Sequence, residues 1–264
     1  MISPYDAFMN DARRGSPLQD VSRRGEELSR HLVCFPFVGA GANSFRSWGK
    51  NSPPGLGVVG VVAAGRESRI REQPVATAQE LIDEVATELL VGIPGTYALL
   101  GICSGALVAL EFARSIKDRG IRQPDAVFII SQSPPTLTHL NREQGVSDLP
   151  SEVLWEKIIE MGFTDKRVAE NPELSALFEP VIRADLEMIE GLITRPRSRI
   201  PHPIIAVGAS DDGDIANREL GSWASFTEGS FAQISVAGNH LFRGQESTLL
   251  RTVCDFWDSL MCSS

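Results

Sequence analysis

The strongest indication of chemistry in this sequence is a cysteine placed at the centre of residues 101–105, Gly-Ile-Cys-Ser-Gly. An apolar, β-prone run over residues 97–100 precedes this segment, and apolar residues at helical spacing follow it. Glycines two positions either side of a central residue, between a strand and a helix, are typical of a nucleophile elbow. The sharp turn excludes side chains at the two glycine positions. We therefore predict that the thiol of Cys103 is a nucleophile.

A base and an acid for this nucleophile follow further along the chain. His240 and an acidic cluster each come directly after a predicted strand, where catalytic groups of parallel sheets are found. The order nucleophile, acid, base is the chain order of α/β-hydrolases. We predict His240 as the base and Asp211 as the carboxylate that orients it. Asp212 and then Asp214 are the alternatives, because spacing alone does not separate three acids within four residues.

Backbone amides near the elbow are predicted to form an oxyanion hole. The predicted strand 31–37 leads into a loop, 38–42, that contains only Val, Gly and Ala. In elbow enzymes one donor comes from such a loop and the other from the residue after the nucleophile. We assign these donors to the amide of Phe37 or Val38 and to that of Ser104.

These groups require a parallel sheet to bring them together. Predicted strands alternate with helices, which indicates a mainly parallel sheet with helices on both faces, the α/β-hydrolase fold. The strands are predicted over 31–37, 58–63, 97–100, 126–131, 203–207 and 231–236, with helices over 76–91, from the elbow to Gly120, and over 246–260.

Two segments depart from the alternation of strands and helices. Residues 1–30 are polar and predict an N-terminal arm, so that the hydrolase domain spans 31–264. Between about 148 and 195 the strand signal stops, and three helices are predicted. They cover Ser151–Met161, Pro172–Glu179 and Val181–Ile193. We interpret this insertion as a helical lid over the site, with a plain helical layer as the alternative.

Composition excludes several classes of function. The net charge of −9 is unlike that of nucleic-acid-binding proteins, which present a basic face. No apolar run approaches the ~20 residues of a membrane span. The four cysteines show neither zinc-site nor C-x-x-C spacing, so we predict no metal site and reduced thiols in a cytoplasmic protein. We expect a monomer.

Several motifs give the sequence a family resemblance over residues 31 to about 258. The sequence resembles the type II thioesterases of nonribosomal peptide and polyketide assembly lines. The matching segments are 34–41 (CFPFVGAG), 65–69 (GRESR), Gln73-Pro74, the elbow with 111–114 (EFAR), 131–135 (SQSPP), 172–174 (PEL), 183–185 (RAD) and 238–242 (GNHLF). The resemblance implies substrates held as thioesters on the 4'-phosphopantetheine of acyl or peptidyl carrier proteins. It also implies a nucleophile-His-Asp triad, no metal and no cofactor of the enzyme's own.

The sequence departs from this family at the nucleophile itself. Where the family carries His-Ser-Met at the elbow, this sequence has Ile-Cys-Ser at residues 102–104. Similar cysteine-bearing relatives include transferases that move an acyl or aminoacyl group between carrier proteins. Exchange between two thioesters is nearly isoenergetic, whereas an acyl-serine ester lies downhill of a thioester. Transfer is therefore our first hypothesis and hydrolytic editing the second, ahead of a general esterase and a non-catalytic carrier-binding module.

Overall fold

One seven-stranded sheet forms the centre of the protein. The structure, a computed structural model, describes residues 15–22, 28–91, 93–135, 145–194, 198–212 and 219–262. The strands in these ranges are β1 (Leu18–Asp20), β2 (Arg30–Phe35), β3 (Leu56–Val61), β4 (Thr96–Ile102), β5 (Val127–Ile130), β6 (Ile204–Ala209) and β7 (Phe231–Val236). Their order in the sheet is β1-β3-β2-β4-β5-β6-β7. Every neighbouring pair is parallel except β1 with β3, which confirms the predicted mainly parallel sheet.

Helices cover both faces of this sheet, as predicted. In the described ranges they are α1 (Arg46–Asn51), α2 (Ala78–Val91), α3 (Gly105–Ser115), α4 (Ser151–Glu160), α5 (Lys166–Ala169), α6 (Pro172–Ile193) and α7 (Glu246–Cys262). Buried side chains of α2, α3, α4 and α6 form one apolar cluster with the sheet. Those of α1 and α7 form a second cluster with the other face. Strands β3, β5 and β6 are buried at every position, as expected for central strands covered on both sides.

The N-terminal segment contributes to the sheet, which corrects part of the predicted polar arm over 1–30. Leu18 is buried and pairs with Val61, so that β1 covers the edge of β3 in antiparallel fashion. The Ser16 hydroxyl fixes the entry to this strand, since it accepts a hydrogen bond from the Leu18 amide. The prediction missed a three-residue strand because so short an element has no measurable alternation. The remainder of the arm, 1–14 and 23–27, lies outside the described residues.

The helical insertion between β5 and β6 consists of α4, α5 and α6. It was predicted with a break between two helices at Pro180, but α6 runs through that position without interruption. The Asn171 side chain caps the helix, accepting from the amides of Glu173 and Leu174, and Pro172 occupies its first turn. A buried apolar face over the second half of α6 outweighs the hydrogen bond that Pro180 removes. No helix in the described part of the chain is long and apolar enough to cross a membrane.

Acid should destabilise the fold through His31, a fully buried residue of β2. Burial lowers the pKa of His31 to about 4. Between pH 6.5 and about 4 the unfolded chain therefore takes up a proton that the folded protein excludes, and the free energy of unfolding falls as the pH falls. We expect a loss of up to about 3 kcal/mol from this group. Urea unfolding at several pH values would show a shallower decline for His31→Leu than for the unmodified protein, whereas parallel declines would contradict the assignment.

Candidate active site

The backbone of Cys103 has the strained conformation that the elbow pattern predicts. β4 ends at Ile102 and α3 begins at Gly105, so two residues make the whole turn. Cys103 lies in the left-handed region, with φ of 51°. Its amide donates to the Ile130 carbonyl of the neighbouring strand, at 2.8 Å. The thiol is thereby presented at the carboxyl end of the sheet, at the N-terminus of α3.

The two elbow glycines are required by close backbone contacts. A Cβ atom on Gly101 would lie 2.3 Å from the Cα of Ala106. A Cβ on Gly105 would lie 2.2 Å from the carbonyl oxygen of Phe35, in β2. Both distances are far below van der Waals contact, so any other residue would displace the helix from the strands. The glycine spacing read from the sequence therefore reflects real packing.

His240 joins the thiol to a carboxylate. The Nδ1 atom of His240 lies 2.8 and 2.7 Å from the two carboxylate oxygens of Asp212. The side chain of Cys103 lies near enough to the imidazole to raise the pKa of His240. With Nδ1 held by the carboxylate, the other ring nitrogen is the one available to the thiol. Cys103, His240 and Asp212 thus lie in the order that a relay of nucleophile, base and acid would need.

Asp211, the predicted partner of His240, is not the residue that contacts it. The carboxylate of Asp211 accepts from the Ser210 hydroxyl at 2.7 Å, and its amide donates to the carbonyl of Gly238. Residues 210–212 form a single 3-10 turn, in which successive side chains point about 120° apart. Only one of the two adjacent carboxylates can therefore face the imidazole, and that one is Asp212. Asp214, the remaining alternative, lies outside the described residues.

The partners of His240 change its acidity. Burial alone would lower the pKa of His240, but hydrogen bonds with Asp212 and Cys103 outweigh burial and raise that pKa to about 10. The imidazole is therefore a base strong enough to take and hold a proton near neutral pH.

The loop after β2 reaches the elbow, as the oxyanion-hole prediction requires. The Val38 amide donates to the Ser104 hydroxyl at 3.0 Å, so the loop and the turn are in direct contact. Among the described residues no acceptor takes the amide proton of Phe37 or of Ser104. These two predicted donors are thus open to a ligand, while the third, Val38, is engaged by the Ser104 side chain. We name residues 36–41 the oxyanion loop.

Two cavities have Phe37 of the oxyanion loop in their walls. The first, of about 30 Å³, has mostly apolar walls, to which Ser104, Arg66 and Asp185 also contribute. The second is a groove of about 320 Å³ beside the elbow, between Phe37, Trp48 and Leu241, and Arg243 lines it. The first has room for about one water molecule, and the second is large enough for an extended chain. All four cysteines are free, and the described residues contain no cluster of His, Cys, Asp or Glu able to hold a metal ion.

The pairing of Arg66 with Asp185 was not predicted from the sequence. Both residues lie in segments that carry the family resemblance, 65–69 and 183–185, and 119 positions separate them. The structure brings them together beside the oxyanion loop with a bidentate contact. The signal available in the sequence was the family resemblance of both segments, which does not indicate that the two residues meet.

Comparison with known proteins gives consistent matches along the chain. A family model described as a thioesterase domain matches residues 30–259. The gramicidin S biosynthesis protein GrsT of Aneurinibacillus migulanus is 27% identical over 80% of this chain and 82% of its own. The human medium-chain S-acyl fatty acid synthase thioesterase is 27% identical over 83% of each chain. The structure of RedJ, a thioesterase from the prodiginine pathway of Streptomyces coelicolor, is 30% identical, covers 86% of this chain and 89% of RedJ, and has a TM-score of 0.74.

Proposed function

The chain belongs to the thioesterase family, and we propose that it transfers acyl or aminoacyl groups between the phosphopantetheine arms of two carrier proteins through an acyl-thioester on Cys103. The observation that carries this proposal is the identity of the elbow residue. A cysteine, in contact with His240, stands where type II thioesterases carry a serine. The chain is an enzyme of the α/β-hydrolase type, and the proposal concerns which acceptor receives its acyl group.

The relatives support carrier-bound substrates. GrsT is a gramicidin S biosynthesis protein, and RedJ is a thioesterase of prodiginine biosynthesis. Assembly lines of this kind hold their intermediates as thioesters on carrier proteins. We infer the same class of substrate and of partner for this chain, with the acyl group bound covalently to the Cys103 sulfur during the reaction.

The residues of the site suit two successive thioester exchanges. The Cys103 thiolate attacks the carbonyl carbon of the incoming thioester, and the amides of Phe37 and Ser104 stabilise the oxyanion. When the C–S bond to the first arm breaks, the departing thiolate takes the proton from His240. The second arm's thiol returns a proton to His240 and attacks the acyl-Cys103 carbonyl, which restores the thiolate. Asp212 holds the imidazole in position throughout.

The choice of sulfur decides the energetics of the second step. An acyl-serine is an oxyester, so its return to a thiol would be uphill. An acyl-cysteine is a thioester, so that donor, enzyme intermediate and product have nearly the same free energy. Transfer in either direction therefore meets no thermodynamic barrier with Cys103. The same intermediate is open to water, which makes hydrolytic editing the second candidate, favoured by the thioesterase names of the relatives.

The larger cavity is consistent with this substrate. The groove of about 320 Å³ is lined by Ile102, the residue before Cys103, and by the exposed Arg243, a suitable partner for the phosphate of a phosphopantetheine arm. We place the arm in this groove.

Intact-protein mass spectrometry tests transfer against hydrolysis. The enzyme is mixed with a carrier protein loaded with an acyl or aminoacyl group, and an unloaded second carrier with its phosphopantetheine arm is added later. Transfer requires an adduct on Cys103 that persists in buffer and moves to the second carrier. An adduct that decays to free acid before that addition would establish an editing thioesterase. Equal turnover of p-nitrophenyl acetate with no carrier preference would indicate a general esterase, and no adduct at all a binding module.

A further inference from the structure

A buried ion pair connects the helical insertion to the catalytic centre. Arg66 follows β3, and Asp185 lies in the middle of α6. Their side chains are only 6% and 11% exposed. The two guanidinium nitrogens Nη1 and Nη2 lie 2.7 and 2.6 Å from the two carboxylate oxygens. Neither residue contacts Cys103, His240 or Asp212. The proposed chemistry therefore does not explain why two charges are buried here, although their desolvation is costly.

Both members of the pair also bind the oxyanion loop. The Gly39 amide donates to the Asp185 carboxylate at 2.7 Å. Arg66 donates to the carbonyl of Ala40, also at 2.7 Å. Consecutive residues of the loop are thus held through an N–H and a C=O by a charged pair, immediately after the proposed donor Phe37 and its neighbour Val38. Hydrogen bonds to charged groups are the stronger class, and here they are shielded from water.

The insertion helix also rests directly on this loop. Gly39 has φ of 76°, a conformation that favours glycine. A Cβ atom at this position would lie 3.3 Å from the Cγ1 of Ile182 in α6, tighter than ordinary contact. Gly39 thus meets α6 twice, through its amide at Asp185 and through its α-carbon at Ile182. The conformation of the loop and the position of the helix are therefore interdependent.

We propose that Asp185 is a positioning residue for the oxyanion hole, coupling the seating of α6 to the alignment of the loop donors. The inference deepens the proposed function, because it rests on the assignment of residues 36–41 as the oxyanion loop. With α6 in place, Asp185 fixes the Gly39 amide, and the loop presents its donors to the reacting carbonyl. A displacement of α6 withdraws this acceptor and loosens the loop. Closure of the insertion over a substrate and assembly of the oxyanion hole are then one event.

The sharpest variant removes the pair without leaving a buried charge. Replacing a buried ion pair by apolar residues of similar size is often tolerated, whereas removing one partner is strongly destabilising. We therefore choose the double variant Arg66→Met with Asp185→Leu, which keeps the packing of α6 but removes the acceptor for Gly39 and the donor to Ala40. Asp185→Asn, which keeps the shape of the side chain, is the second variant.

Two reactions of Cys103 separate the oxyanion hole from the thiol. Acylation by the soluble thioester acetyl-N-acetylcysteamine develops an oxyanion, whereas alkylation by iodoacetamide displaces iodide from a saturated carbon. At saturating thioester we expect the double variant to acylate about 10- to 100-fold more slowly, somewhat less than the 10²- to 10³-fold effect of removing a donor outright. Alkylation should stay within about twofold, because the side chains of Cys103 and His240 are untouched. Asp185→Asn should change the same ratio in the same direction.

A matched control lies on the same helix. Arg183 and Glu179 form an ion pair on α6 that binds the carbonyls of Ser147 and Leu149 but does not contact the oxyanion loop. Arg183→Met with Glu179→Leu should leave the ratio of acylation to alkylation unchanged. Should the Arg66/Asp185 double variant fail to alkylate, and so to fold, the ratio measured on Asp185→Asn decides the question.

In a variant that folds, acylation and alkylation falling by the same factor, or acylation at the unmodified rate, would overturn the positioning role. The soluble thioester needs no carrier protein, which keeps this result separate from the proposed function. An unmodified enzyme that reacts with the soluble thioester but with no loaded carrier would refute the carrier substrate alone.

Discussion

Replacing Cys103 by alanine is expected to abolish acyl loading, with a fall of about 10⁴-fold or more in the rate of adduct formation. Sulfur at this position is the group that faces His240 at the elbow. The neighbouring Ser104 hydroxyl cannot replace it, since this hydroxyl is bound to the Val38 amide of the oxyanion loop. Intact mass measured after mixing with a loaded carrier would check the result. Loading retained in Cys103→Ala would overturn the elbow assignment.

Cys103→Ser is the matched control for the role of sulfur. It keeps the shape of the turn and a nucleophile beside His240, so acyl loading should persist, although more slowly. The intermediate becomes an oxyester, and its return to a carrier thiol becomes unfavourable. The ratio of free acid to transferred acyl group should therefore rise. A serine variant that transferred as well as the unmodified enzyme would refute the energetic reason given for the cysteine.

The second large effect is expected at Asp212, with almost none at its neighbour Asp211. Asp212→Asn removes the negative charge from His240 Nδ1 and should slow acylation by about 10²- to 10⁴-fold. Asp211→Asn alters a carboxylate that binds Ser210 and should stay within about threefold of the unmodified rate. Single-turnover acylation of the two variants, with His240→Ala as the inactive reference, gives the comparison. The reverse order of effects would restore Asp211 as the orienting residue.

The elbow could be predicted from the sequence because its cause is local. Backbone atoms within a few ångströms leave no room for a side chain at Gly101 or Gly105. Any chain that makes this turn must therefore carry glycine at both positions. The strand and helix on either side follow from apolar periodicity. The positions of Cys103 and His240 at the carboxyl edge of the sheet then follow from the parallel topology.

The features that could not be predicted from the sequence depend on the direction in which a side chain points from a helical turn, or on contacts between residues far apart in the chain. Asp211 and Asp212 differ by one step of a 3-10 turn, and sequence spacing does not encode the direction in which each points. The break predicted at Pro180 treated proline as a terminator, but tertiary packing of α6 overrides that preference. The contact between Arg66 and Asp185 spans 119 positions and becomes visible only when the fold brings both to Gly39.

The elbow holds its conformation through backbone contacts and glycines, and the side chain of residue 103 takes no part in them. The conformation of the turn therefore does not depend on whether the side chain at position 103 ends in sulfur or in oxygen. Cysteine codons TGT and TGC differ from serine codons AGT and AGC at one base. On the proposed mechanism, a single point mutation in a gene for such a scaffold would exchange an enzyme that transfers acyl groups reversibly for one that releases them as free acid, with the backbone contacts of the turn unchanged.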